Sequence, residues 1–216
     1  MFERHPVLGK IFVLIKYALI SLAVFLAAFT LIYFAWLRNW QMTWGATEEE
    51  VVRYMAGDEL IEDPSFNATR AVEINATPEE IWPWIVQMGY KRAGFYSYDN
   101  LDNAGIPSAE RIIPELQNVK VGDTLVFLEV VEMEPNKSML WVFTHGPWRG
   151  ATWSWGLYEV DGGRTRLVSR LRQEFEIDSF EAVIGRSMID IFEILPMRKC
   201  LLGIKSRAEG SAGKSR

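Results

Sequence analysis

A single cysteine, Cys200, excludes an internal disulfide framework and a cysteine-built zinc site. Histidine is almost as scarce, with only His5 and His145 in 216 residues. Beyond the first forty residues His145 is the only imidazole, and no ligand-spaced carboxylates accompany it, so no metal site is expected. Positive charge is the minority sign. Met1–Leu37 hold three of the 23 basic residues (Arg4, Lys10, Lys16) and one of the 28 acidic ones (Glu3), which leaves 20 against 27 and a net charge of −7 in the remainder. Phosphate binding draws on basic surface that releases counterions, so this balance argues against nucleic acid as a partner. Internal repeats and low-complexity blocks are absent, and nothing calls for a cofactor.

One stretch lacks charge altogether. Tyr17–Leu37, "YALISLAVFLAAFTLIYFAWL", has 21 residues without a charge. A helix of about 20 apolar residues spans a hydrocarbon core. Trp36 and Trp40 stand at one end, where rings rest among headgroups, and Lys16 at the other can snorkel. The run is longer than a signal-peptide core of roughly 7–15 residues and has no small-residue cleavage step. The expectation is an uncleaved single-pass anchor within residues 1–40. Arg4, Lys10 and Lys16 precede the span and Arg38 follows it alone, which by the positive-inside rule places the rest of the chain outside the cytoplasm.

What remains is rich in apolar and aromatic residues: 49% of the chain is hydrophobic and nine residues are tryptophan, enough for a substantial core. Residues 41–68 read as a connector, with Thr47 and Glu50 forming a capping box for a short helix through Met55. Thr69–Ala76 has strand alternation, with Ala71 opposite Val72 and Ile74. Thr77, Pro78 and Glu80 then open a helix running to Met88, bent at Pro83 and ended by Gly89. Residues 90–120 are irregular apart from a short helix near Tyr98–Asn103. Strands are expected over Thr124–Met133, Ser138–Thr144, Thr152–Val160 and Thr165–Ile177, joined by "EPNKS" and "DGGR" turns. Residues 180–206 form the last long helix, its apolar positions including Ile184, Met188 and Leu195, with a kink at Pro196; residues 208–216 fray. This order predicts an α+β domain over residues 69–207, a curved antiparallel sheet with helices on one face.

The segments "ATRAVEINATPEEIWPWIVQMG", "GFYSYDNLDN", "RIIPELQNVKVGDTL" and "LLGIKSRAEG" resemble the SRPBCC group, the START-like, Bet v 1-like or polyketide cyclase/dehydrase superfamily. The match is closest to a bacterial, membrane-anchored subgroup and runs from about Thr43 to Gly210. The resemblance implies a helix-grip fold with a hydrophobic cavity between the sheet and the C-terminal helix.

Within that frame, aromatic side chains are the candidate cavity walls: Trp84 on the helix, Phe95, Tyr96 and Tyr98 in the irregular stretch, and Trp141, Trp153 and Trp155 on strands. The alternative for each is plain core. Trp82 and Trp84 point about 200° apart on a helix and cannot share a surface. Arg170, or Arg111, is a candidate to enter the cavity and hold a ligand oxygen; the competing reading puts Arg166, Arg170 and Arg172 on a solvated outer face. His145 and Asp99 are weak acid–base candidates, the first in a turn and the second at the start of the short helix. The leading functional reading is a membrane-tethered binding or carrier domain for a hydrophobic, lipid-like small molecule. A cyclase- or dehydrase-type enzyme and a subunit or assembly factor with a membrane-protein partner stand as alternatives.

Overall fold

A computed structural model describes residues 6–175 and 187–212, and it divides into two units, Met1–Trp40 and Gln41–Arg216. Helix α1 (Pro6–Ile32) continues through a π-helical turn at Tyr33–Leu37 into α2 (Arg38–Met42). Residues Gly9–Met42 are long and apolar enough to cross a membrane, and the apolar window within them is wholly exposed.

The second unit is built on a six-stranded antiparallel sheet in the order β1-β6-β5-β4-β3-β2. Its strands are β1 (Phe66–Ile74), β2 (Thr124–Leu125), β3 (Leu128–Glu134), β4 (Ser138–Phe143), β5 (Thr152–Val160) and β6 (Arg164–Gln173). β1 begins three residues before Thr69, because Phe66, Asn67 and Ala68 pair with Gln173, Arg172 and Leu171. The expected first hairpin strand is two strands: Val126 takes a left-handed φ of 64° and turns the chain between β2 and β3. β6 ends at Gln173, followed by irregular residues 174–175; the rest of the segment expected to reach Ile177 lies outside the described residues.

Registers show which residues share a face. Arg70, Ser169, Trp155 and Met139 stand in one row across four strands, and Ala68, Leu171, Trp153 and Trp141 in the next. Both rows point inward, toward α4 (Pro78–Gln87) and α6 (Ile194–Ala212). The start of α4 is held as the sequence indicates: the Glu80 carboxylate accepts from the Thr77 N–H at 2.9 Å. Gly203 lets α6 approach the backbone closely, since a Cβ there would lie 2.3 Å from the Tyr96 carbonyl oxygen.

The last helix is interrupted where a kink was expected further on. Residues 187–192 are helical, Glu193 breaks the run, and Pro196 sits in the first turn of α6. Proline has no N–H to donate to residue 192, so the ladder cannot run through. Residues 180–186, including Ile184, lie outside the described residues. At the other end α6 continues to Ala212 and buries Ala208, so residues 208–212 are helical rather than frayed.

The opposite, outer face of the sheet is not solvated at its centre. The connector folds over it, carrying α3 (Glu48–Val52), whose capping box forms through Thr47 and Glu50 at 2.8 and 3.2 Å. Helix α3 ends at Val52 rather than Met55, and Met55 packs on Ala71 and Val168 instead.

Candidate functional site

Between the inward rows of the sheet, the segment after α4 and the beginning of α6 lies a cavity of about 360 Å³. Its wall is a chain of rings in mutual contact. Phe95 meets Trp153 at 6.0 Å and Phe127 at 6.2 Å, Phe127 meets Phe143 at 6.1 Å, and Phe143 meets Trp153 at 5.8 Å and Trp148 at 6.3 Å between centroids. Strand alternation brings Phe143 and Trp153 inward. The turn after β2 delivers Phe127, and the loop after β4 delivers Trp148. The Trp153 indole N–H donates to Ser169 Oγ at 2.9 Å, which fixes that ring.

Polar atoms gather where α5 (Asp99–Asp102) approaches the start of α6. Ser97 donates to the Pro196 carbonyl at 2.9 Å. Asp102 lines the cavity with Oδ1 buried and without a partner. Burial, reinforced by the nearby Asp99 charge, pushes its carboxyl above the ordinary aspartate range, although Ser97 and backbone donors act against this. Glu193 also lines the cavity and forms an ion pair with Arg70, which reaches inward from β1. Burial raises the Glu193 carboxyl against the opposing effect of Arg70. The Cys200 thiol is pushed up by burial and then by Asp102, so it stays protonated and contributes apolar surface.

Of the residues singled out from sequence, Phe95 and Trp153 come together in this wall. Trp84, Trp141 and Trp155 point inward but are buried in the core away from the cavity. Trp84 meets Tyr96 edge-on at 5.9 Å, and Trp141 meets Trp155 in the same way, also at 5.9 Å. Tyr96 is a structural pin: its hydroxyl donates to the Trp84 carbonyl and accepts from Gln87, both at 3.0 Å. Tyr98 faces outward beneath the Lys199 ammonium, which is 4.0 Å from its ring centroid. Asp99 accepts from Ser108 Oγ and borders a separate hollow beside Tyr98. His145 is exposed in its loop and bonds Thr144, outside the cavity.

The two expected arginines are elsewhere. Arg111 is exposed, and its backbone carbonyl accepts from Gln87 at 3.2 Å. Arg170 lies on the outer face of the sheet, 3% exposed, and donates to Thr69 Oγ1 and to the carbonyls of Glu50, Val51 and Arg53 while pairing with Asp58. It holds the connector down. Neither cavity entry nor a solvated face describes it, because a fixed guanidinium with five acceptors is satisfied without water. The inward arginine is Arg70. Its signal was present in the period-2 pattern that puts residue 70 on the same face as Val72 and Ile74. Phe127, Trp148, Asp102 and Glu193 carried no comparable signal, since turns and helix ends bring them in.

A curved antiparallel sheet gripping a C-terminal helix over an apolar cavity decides the architecture. The chain has the helix-grip fold. No protein-family model matches the sequence, and no curated protein does. Solved structures similar to it include the Zhui aromatase/cyclase from Streptomyces sp. R1128, at 12% identity and TM-score 0.44, with 68% of this chain and 94% of that one covered. A polyketide cyclase-like protein from Corynebacterium glutamicum matches at 15% identity and TM-score 0.42, covering 68% and 93%. An Aha1 dimer from Colwellia psychrerythraea matches at 19% identity and TM-score 0.40, covering 66% and 96%. These likenesses are of general architecture, and the helix-grip assignment rests on this chain's own sheet order and helices.

Proposed function

We propose that this helix-grip domain binds a small hydrophobic molecule in its ring-lined cavity and is tethered to a membrane by its N-terminal helix, with the domain outside the cytoplasm. The observation that carries the reading is the cavity itself: about 360 Å³ of apolar space bordered by a connected chain of six rings, Tyr90 included, and a few polar groups at one end. Small-molecule pockets have this composition and span roughly 300–1,000 Å³. At the low end of that range, the space suits a compact one- or two-ring compound or a short chain better than a diacyl lipid. The alternative of a cyclase- or dehydrase-type enzyme finds neither His145 nor Asp99 in the cavity, so binding is the function proposed.

The test is equilibrium binding of naphthalene-sized probes to the full chain in lipid nanodiscs, with empty nanodiscs as the blank. Leu171 lines the cavity on β6, and Leu171→Phe places extra atoms in the open space. Saturable binding that weakens at least tenfold in Leu171→Phe, with an unchanged circular-dichroism spectrum, is the expected result. Probe uptake no greater than that of empty nanodiscs would remove the proposal.

A further inference from the structure

Among the described residues, the charges that line the cavity do not balance. Of its two carboxylates, Glu193 is matched by Arg70. Asp102 has no such match: among the described residues no lysine or arginine pairs with it, and its Oδ1 is buried without a hydrogen-bond partner. A second carboxylate, Asp99, acts on it as well and raises it further. Ser97 stands beside it, but that hydroxyl already donates to the Pro196 carbonyl, and a neutral donor does not cancel a charge. Much of the remaining wall is aromatic, with Tyr90, Phe95, Phe127, Phe143, Trp148 and Trp153 among its residues.

Aromatic faces carry negative electrostatic potential and attract a cation within about 6 Å of the ring centroid. A carboxylate lacking its counter-charge attracts the same species. An anionic ligand would be repelled by both, and a neutral one would leave Asp102 uncompensated in a drier site than before. We infer that the cavity's ligand is a small apolar amine, held as its ammonium with the charge toward Asp102 and the apolar body between the rings. This rests on the cavity being a binding site at all. The elevated Asp102 carboxyl agrees with it: burial without a positive neighbour raises an aspartate, and a bound ammonium would reverse that shift.

Three probes of one shape and different charge test the inference: 1-naphthylmethylamine, 1-naphthylmethanol and 1-naphthoate. Each is titrated against the full chain in zwitterionic nanodiscs at neutral pH, with empty nanodiscs subtracted. The amine is expected to bind about tenfold tighter than the alcohol or better, and the carboxylate weakest of the three. Asp102→Asn keeps shape and loses the charge; it is expected to abolish the amine's advantage over the alcohol, so that the two bind alike. Amine and alcohol binding alike in the native chain, or an amine preference that survives Asp102→Asn, would overturn the amine assignment and leave the cavity's binding role standing. If none of the three binds, both readings fall.

Discussion

Arg70 on β1 and Glu193 at the entrance to α6 form an ion pair beneath the sheet's inner face, with 2% and 10% of their side chains exposed. It ties the first strand to the break in the last helical segment, the place where the cavity's polar end is assembled. The Arg70 Nε also donates to the Gln41 carbonyl at 2.7 Å, so the connector joins the same network. Removing one partner leaves the other charged and buried, which costs roughly 3–5 kcal/mol. Arg70→Met is therefore expected to lower stability by about that much in denaturant titration, and Arg70→Met with Glu193→Leu to recover a large part of it. Additive losses in the double variant would contradict the pairing.

Arg170 sets the connector on the outer face. Arg170→Met would leave the Asp58 carboxylate without its closer guanidinium, although Arg172 still pairs with it at 2.8 Å. It would also orphan three backbone carbonyls. A loss of about 3 kcal/mol is expected, at the lower end for a broken buried pair because Arg172 remains. Hydrogen exchange is expected to speed up over residues 50–58 and to stay slow in β4 and β5. Naphthylmethanol binding is expected to be unchanged, since Arg170 is on the face away from the cavity.

Asp102 makes a pH-dependent contribution of a definite sign. Its folded-state carboxyl lies above the reference of 3.8, so between the two values the folded chain holds a proton that the unfolded chain has released. Stability then falls as pH rises from about 3.8 through the folded value and stays lower above it. Asp102→Asn removes this loss. The variant is expected to be more stable than the native chain at pH 7 in the absence of ligand, with the difference shrinking toward zero near pH 3. A difference that does not change with pH would contradict the assignment.

Membrane attachment and sidedness have a simple readout, because the only native thiol, Cys200, is buried. Lys137, in the turn between β3 and β4, is exposed. A Lys137→Cys chain is expected to stay with the membrane fraction through alkaline carbonate washing. It is also expected to react with a membrane-impermeant maleimide on intact cells. Labelling only after the cells are opened would place the domain on the cytoplasmic side.

Much of the fold was legible because it is written in short-range patterns. The α4 capping box, β5 over Thr152–Val160 and the shared face of Trp153 and Trp155 follow from local spacing. The break before Pro196 was legible as an irregularity but misplaced by three residues, since proline disrupts the bond to a carbonyl four residues earlier. The site was less legible. Trp141, Trp153 and Trp155 share an inward direction, yet of these three only Trp153 meets open space. Direction follows from alternation, whereas space depends on what other segments fail to fill.

The sequence by itself determined an apolar N-terminal helix, a sheet with one aromatic face, and a C-terminal helix to cover it, because period and capping act over a few residues. Tertiary structure decided which inward rings become a wall, which arginine faces in, and which carboxylate is left without a counter-charge. Phe127, Asp102 and Glu193 meet only when a strand turn, a four-residue helix and a broken helix converge, and no local pattern in the chain encodes that meeting.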